Sequence, residues 1–202
     1  ETTHALQTIL RVGTSAGGAR PKAVLNLDDA TGEFRSGARL PRPGESAWLL
    51  KFDGVTDART LATARQYTRI EYAYALMAVE AGIAMSECRL VHDGPRAHFL
   101  TRRFDRPAPG EKVHLVTLCG LRGLDNDDVG VHDYAQLFDT VAALGLGEEA
   151  LVEAFRRMVF NVAAVNHDDH TKNHSFLLAE DGTWSLAPAY DLSYSNNPTH
   201  PY

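Results

Sequence analysis

Apolar and polar positions alternate with a period near two over Lys22-Ala23-Val24-Leu25-Asn26-Leu27, directly after Pro21, which predicts a strand over 22–28. A second strand is expected over 7–12, joined to it by the glycine-rich turn Gly13-Thr14-Ser15-Ala16-Gly17-Gly18. A third is expected over 47–52, Ala-Trp-Leu-Leu-Lys-Phe, where Lys51 interrupts an apolar run. The period then lengthens. From Thr60 to Ala81, Ile70, Tyr74, Met77 and Ala81 share one helical stripe, and Gly82 is the expected stop. Residues 87–92 and 97–104 read as a β-pair around Asp93-Gly94. The stretch Asp105-Arg-Pro-Ala-Pro-Gly-Glu111 reads as a linker. Beyond it come an ambiguous apolar segment (113–118), helices near 132–144 and 148–165, and a strand over 174–179. A turn at Asp181-Gly182 and a return strand over 184–187 follow. This order predicts an α+β fold in two parts. Residues 1–104 are β-rich with one long helix, and residues 105–202 are mostly helical.

Composition narrows the classes. A hydrophobic share of 44% over 202 residues can supply a sizeable core. No apolar run approaches the roughly 18 residues that suggest a membrane span, and Glu1-Thr2-Thr3-His4 does not resemble the basic start of a signal peptide. A net charge of −6 argues against a broad nucleic-acid-binding surface and suits a basic partner better. Cys88 and Cys119 form neither a metal-binding pair nor a disulfide framework. They read as reduced core thiols, and a cytoplasmic location is expected.

The chemistry concentrates in Asn166-His167-Asp168-Asp169-His170-Thr171-Lys172-Asn173 and in Ala189-Tyr190-Asp191. Asp168 can orient an acceptor hydroxyl and take its proton. The Asn173 amide oxygen and the Asp191 carboxylate suit Mg²⁺, a hard cation that prefers oxygen ligands. A lysine set in Trp48-Leu49-Leu50-Lys51-Phe52 needs a partner, and Glu71 is the candidate, with Glu80 behind it. The glycine-rich turn lets backbone N–H groups approach phosphates, with Arg20 and Lys22 adding charge, and it lacks the Gly-Lys-Ser/Thr of a Walker A loop. Thr14 and Ser15 are candidate self-phosphorylation sites. Each feature alone has a plainer reading: a polar loop capping a helix, a lysine guarding a sheet edge, a hairpin turn. His167, His170 and His174 raise a zinc-hydrolase alternative, which lacks an HExxH pair.

Taken together, the segments resemble the HipA family of serine/threonine kinases, the toxins of HipA–HipB pairs. The resemblance rests on Gly13-Thr-Ser-Ala-Gly-Gly-Ala-Arg-Pro-Lys22, Leu50-Lys-Phe-Asp-Gly54, Glu71-Tyr-Ala-Tyr74 and Arg102-Arg-Phe-Asp-Arg106. It continues through Phe160-Asn161, Asp168-Asp-His-Thr-Lys-Asn173 and Leu186-Ala-Pro-Ala-Tyr-Asp191. It implies a bilobal kinase-like fold that uses ATP and Mg²⁺. Asp168 would be the base, and Asn173 and Asp191 the Mg²⁺ ligands. The nucleotide site would draw on His170, Lys172 and Tyr190, with Lys51 and Glu71 as the phosphate-binding pair. Gly17, Gly18, Ala19, Arg20, Pro21 and Lys22 would form the phosphate loop, with Arg102, Arg103 and Phe104 as the hinge that meets adenine. Ser15 or its neighbour Thr14 would carry inhibitory autophosphorylation. The resemblance further implies a protein substrate of the aminoacyl-tRNA synthetase class, growth arrest, and a HipB-like antitoxin through which DNA is reached indirectly. Family members extend further at both ends, so part of the helical lobe is expected to be missing here. A catalytically weak nucleotide-binding module acting through such a partner is the alternative.

Overall fold

The strand expected after Pro21 forms as β1 (Lys22–Asp28). The computed structural model describes residues 22–54, 66–125 and 131–195. The expected strand 7–12, the glycine-rich turn with Thr14, Ser15, Gly17, Gly18, Ala19, Arg20 and Pro21, and the expected helix start at 60–65 lie outside the described residues. β1 is followed by β2 (Phe34–Ser36), β3 (Glu45–Lys51), α1 (Tyr67–Glu80), β4 (Cys88–Asp93) and β5 (Arg96–Arg102). Then come β6 (His114–Thr117), α2 (Leu118–Arg122), α3 (Tyr134–Ala143), α4 (Gly147–Ala163), a 3₁₀ turn (Thr171–Asn173), β7 (Ser175–Leu178) and β8 (Trp184–Leu186). The chain divides into two compact units. The first holds the described residues up to Tyr72 together with Glu87–Lys112, and the second holds Ala73–Ser86 and the described residues from Val113 on.

In the first unit, β2-β1-β3-β5-β4 form one antiparallel sheet. Period-two alternation sorts its side chains by face. Ala23, Leu25, Leu27, Trp48, Leu50 and Leu100 form one buried cluster. Trp48 is sealed there: its indole N–H donates to Ser46 Oγ at 2.7 Å, and the Arg89 guanidinium lies 4.7 Å from its ring centre. Alternation puts Leu49 and Lys51 on the opposite face.

In the second unit, β6-β7-β8 make a small antiparallel sheet against α2, α3 and α4, around Leu118, Leu137, Val141, Ala154 and Phe176. The ambiguous segment 113–118 is a strand that turns directly into α2, because Thr117 caps the helix by accepting the Gly120 N–H at 3.0 Å. Gly82 ends α1 as expected: it sits at φ +76°, and Ile83 N–H reaches back to the Ala78 carbonyl at 2.9 Å. At the start of α3, Asp133 and Gln136 form a reciprocal capping box. Asp133→Ala is expected to cost about 1 kcal/mol, read as a shift in the urea midpoint followed by helix signal.

Candidate active site

Each unit carries half of the predicted chemistry. In the first, Lys51 Nζ donates to Glu71 Oε1 at 2.5 Å, and the two side chains are only 9% and 4% exposed. The alternation of β3 sends Lys51 to the face opposite the Trp48 cluster, where the first turns of α1 supply Glu71. Lys51 is directly opposite Phe99 in the β3–β5 register, and its ammonium lies 5.9 Å from that ring's centre. Its partner in the β1–β3 register is Lys22. Two lysines directly opposite on one face repel each other unless an anion lies close.

Asp53 ties down the end of β3. Its Oδ2 accepts the Ala97 N–H at 2.9 Å and the Arg69 guanidinium at 3.0 Å, while its own N–H donates to His98 Nδ1 at 2.9 Å. Burial pushes the Asp53 carboxyl up, but the Ala97 and Gln66 N–H groups and Arg69 outweigh it and hold it below its usual value. Burial also lowers the His98 pKa, so its neutral ring accepts through Nδ1. Arg69 belongs to α1, so this bond joins the helix carrying Glu71 to the strand carrying Lys51.

Arg102 closes β5 and stands 3.7 Å from Glu87. The Arg103 N–H donates to the Ala47 carbonyl at 2.9 Å, and its guanidinium forks onto Asp105 at 2.9 and 2.6 Å. Arg106 adds a 2.8 Å bond to Asp105 Oδ2, and Phe104 is half-buried. Burial raises the Asp105 carboxyl, yet Arg103 and Arg106 bring it below the ordinary carboxylate range. Its folded pKa is therefore below its unfolded one. The stabilisation is fully present above the unfolded value and is lost as pH falls through the folded value. Asp105→Asn is expected to lower stability at neutral pH and to flatten its decline below about pH 4, measured by urea unfolding across an acid series.

In the second unit, Asp168 is exposed at the start of the loop and Asn173 is buried at its end. Asn173 Nδ2 donates to the Asp168 backbone carbonyl at 2.9 Å, and its main-chain N–H donates to the His170 carbonyl at 2.8 Å. The side-chain bond fixes the amide so that Oδ1 is the atom left for a cation. His170 is half-buried and Lys172 exposed. The Tyr190 hydroxyl donates to the Lys172 carbonyl at 2.6 Å and meets Ser175 Oγ at 2.5 Å, which ties the segment bearing Asp191 to the loop. Burial pushes the Tyr190 phenol up to about 12, so it stays a donor. Asp191 is exposed and adopts φ +58°, a left-handed conformation that Asp tolerates better than most residues. Asn173 and Asp191 offer oxygen donors only, which fits a hard divalent cation.

One network is not evident from sequence spacing. Asp169 Oδ1 pairs with His174 Nε2 at 2.9 Å, and Asp169 Oδ2 accepts the Tyr134 hydroxyl. Asn161 Nδ2 donates to Tyr134 Oη at 2.9 Å, and Asn166 Nδ2 to Asn161 Oδ1 at 3.1 Å. Burial raises the Asp169 carboxyl, but His174, Tyr134 and Asn161 together lower it below its usual value. His174, a candidate metal ligand by sequence, is thus engaged with Asp169. Among the described residues no group of three or more His, Cys, Asp or Glu stands ready for a metal ion. The zinc-type arrangement therefore has no cluster to rest on there.

Comparison with known proteins places the chain among kinase-like folds. The family model of the HipA-like C-terminal domain matches residues 14–201. The chain is 31% identical over 91 residues to the Sinorhizobium fredii protein named "Putative kinase Y4dM", a match covering 45% of this chain and 22% of that protein. It superposes on the Shewanella oneidensis HipA–HipB–operator DNA complex with a TM-score of 0.65 at 21% identity. That match covers 94% of this chain and 49% of the matched one. The Helicobacter pylori proinflammatory kinase CtkA gives a TM-score of 0.52 at 15% identity over 72% of this chain and 50% of that one. The chain thus spans about half the length of these solved structures. The expected α+β, kinase-like fold is the one found.

Proposed function

From the premise that the chain belongs to the HipA-like C-terminal domain family, we propose that it is the core of an ATP- and Mg²⁺-dependent serine/threonine protein kinase. The observation that carries this reading is the buried Lys51–Glu71 pair, a strand lysine held by a helix carboxylate, the pairing protein kinases use to position nucleotide phosphates. Lys51 and Lys22 bind the phosphate tail, with the glycine-rich turn completing the cradle. When bound, Mg²⁺ neutralises phosphate charge, and Asn173 and Asp191 are the residues that hold it. Asp168 orients the acceptor hydroxyl and takes its proton. Thr14 or Ser15 is the regulatory acceptor in cis. His170, Lys172 and Tyr190 in the second unit, and Arg102, Arg103 and Phe104 in the first, are the further nucleotide-binding residues of this reading.

The physiological acceptor is a protein hydroxyl, with an aminoacyl-tRNA synthetase as the class to try first. The partner is a HipB-like DNA-binding protein. The Shewanella complex contains such a protein, and the net charge of −6 favours a basic partner over direct DNA contact. A cytoplasmic location accords with the absence, among the described residues, of any helix long and apolar enough to cross a membrane. The test is intact-mass and site-mapping mass spectrometry after incubation with Mg²⁺–ATP. A phosphate on Thr14 or Ser15 is the expected result. ATP bound by calorimetry with no phosphate transferred, to itself or to an added synthetase, would replace this reading with a nucleotide-binding module.

A further inference from the structure

We infer that the buried Asp169–His174 pair is a clamp that fixes the reach between Asp168 and Asn173, which makes Asp169 and His174 positioning residues for the proposed transfer. The functional consequence rests on the kinase reading; the clamp's geometry does not. The pair follows the functional pair by one residue at each end: Asp168 and Asn173 are five apart, and so are Asp169 and His174. The first pair presents an exposed carboxylate and an amide oxygen. The second is turned inward, with side chains 2% and 8% exposed and joined at 2.9 Å.

A carboxylate buried this deeply is tolerated only when its oxygens are bonded. Both Asp169 oxygens are, one to His174 and one to Tyr134. Tyr134, the first residue of α3, packs edge-on against the His174 ring with centroids 5.7 Å apart. Its hydroxyl also accepts from Asn161 of α4, which in turn holds Asn166, the residue two before the loop's Asp168. At the far end the His174 carbonyl accepts the Leu118 N–H at 2.7 Å, anchoring the loop exit to α2. Both ends of the loop are therefore referenced to helices, and the Asp169–His174 bond closes the span between them. Without that bond, Asn173 keeps its side-chain bond to the Asp168 carbonyl but loses the inward anchor beside it.

The test compares His174→Phe, which keeps a ring against Tyr134 but has no N–H, with His174→Gln, whose amide can place a donor near the Nε2 position. Hydrogen exchange on the nucleotide-free 202-residue chain is the first readout. We expect exchange at 170–174 to rise about tenfold in His174→Phe, with protection elsewhere unchanged, and to return toward wild type in His174→Gln. The second readout is transfer. His174→Phe should lower kcat and raise the half-saturating Mg²⁺ concentration by about 10- to 100-fold, the usual effect of losing an outer-shell partner, and His174→Gln should restore most of both. Unchanged loop exchange and an unchanged Mg²⁺ requirement in His174→Phe would overturn the clamp. So would exchange raised throughout the second unit without rescue by Gln, which is the mark of simple packing loss. A wild-type chain that transfers no phosphate overturns the kinase reading instead, while the exchange comparison still decides the clamp.

Discussion

Asp168→Ala is expected to lower phosphate transfer by about 10²–10⁴-fold, the range a positioned general base contributes, while ATP affinity stays within about twofold of wild type, because Asp168 acts on the acceptor hydroxyl. The structure makes this a clean experiment. Asn173 holds the Asp168 backbone carbonyl, not its carboxylate, so truncating the side chain leaves the amide orientation at Asn173 in place. Asp168 is exposed, so no buried partner is left unsatisfied. The inward carboxylate next to it, Asp169, keeps both its bonds. Single-turnover transfer and calorimetric ATP binding, measured side by side, decide the matter. Transfer at the wild-type rate would remove Asp168 from the base role. A large loss of ATP affinity would mean that the carboxylate serves the nucleotide and not the acceptor.

Elements governed by local periodicity were legible in the sequence. β1, β3, the β4–β5 pair, α3, α4 and β7 fall within a few residues of the segments read from the pattern. β2 was missed because Phe34-Arg35-Ser36 is three residues long and, among the described residues, pairs only with β1. α2 was missed because its five residues carry no helical period; it exists through the Thr117 cap and the buried Leu118. α4 shows where the apolar pattern misleads. Ala154 and Phe160 face the core, but Val152, Phe155, Val159 and Val162 are about half exposed, while Arg157 and Asn161 are buried. Hydrophobicity alone would have chosen the wrong face. The candidate site divides the same way. The spacing of Asp168 and Asn173 is a local signal. The Tyr134–Asp169–His174 network joins residues 35 positions apart and depends on which helix packs beside the loop, which spacing cannot encode. The Asp53 anchor was hidden likewise, since its partners Arg69 and Ala97 come from different elements.

Removing either member of the Lys51–Glu71 pair is expected to destabilise the first unit by about 3–5 kcal/mol, because it leaves the other charge buried. The effect is asymmetric. In Lys51→Met the buried Glu71, deprived of that ammonium, can relieve itself by binding a proton, so the loss shrinks as pH falls from 8 toward 5. In Glu71→Leu, Lys51 loses its carboxylate and keeps its place opposite Lys22 in the strand register, and lowering the pH gives no relief. The double variant Lys51→Met/Glu71→Leu removes both charges and places apolar groups beside Phe99. It should recover stability to within about 1–2 kcal/mol of wild type, as replaced buried ion pairs often do. Function separates the two readings of the lysine. If Lys51 only fills a sheet position, the double variant regains ATP binding together with its fold. If it positions phosphates, the double variant is stable but binds ATP more weakly and transfers more slowly, because the phosphate tail has lost one of its two lysine cations. We expect the second result. Urea unfolding followed by Trp48 fluorescence in a Trp184→Phe background reads the first unit's stability, and calorimetry with ATP reads the site. Recovery of wild-type ATP affinity in the stable double variant would return Lys51 to a purely structural role and withdraw the observation on which the kinase reading chiefly rests.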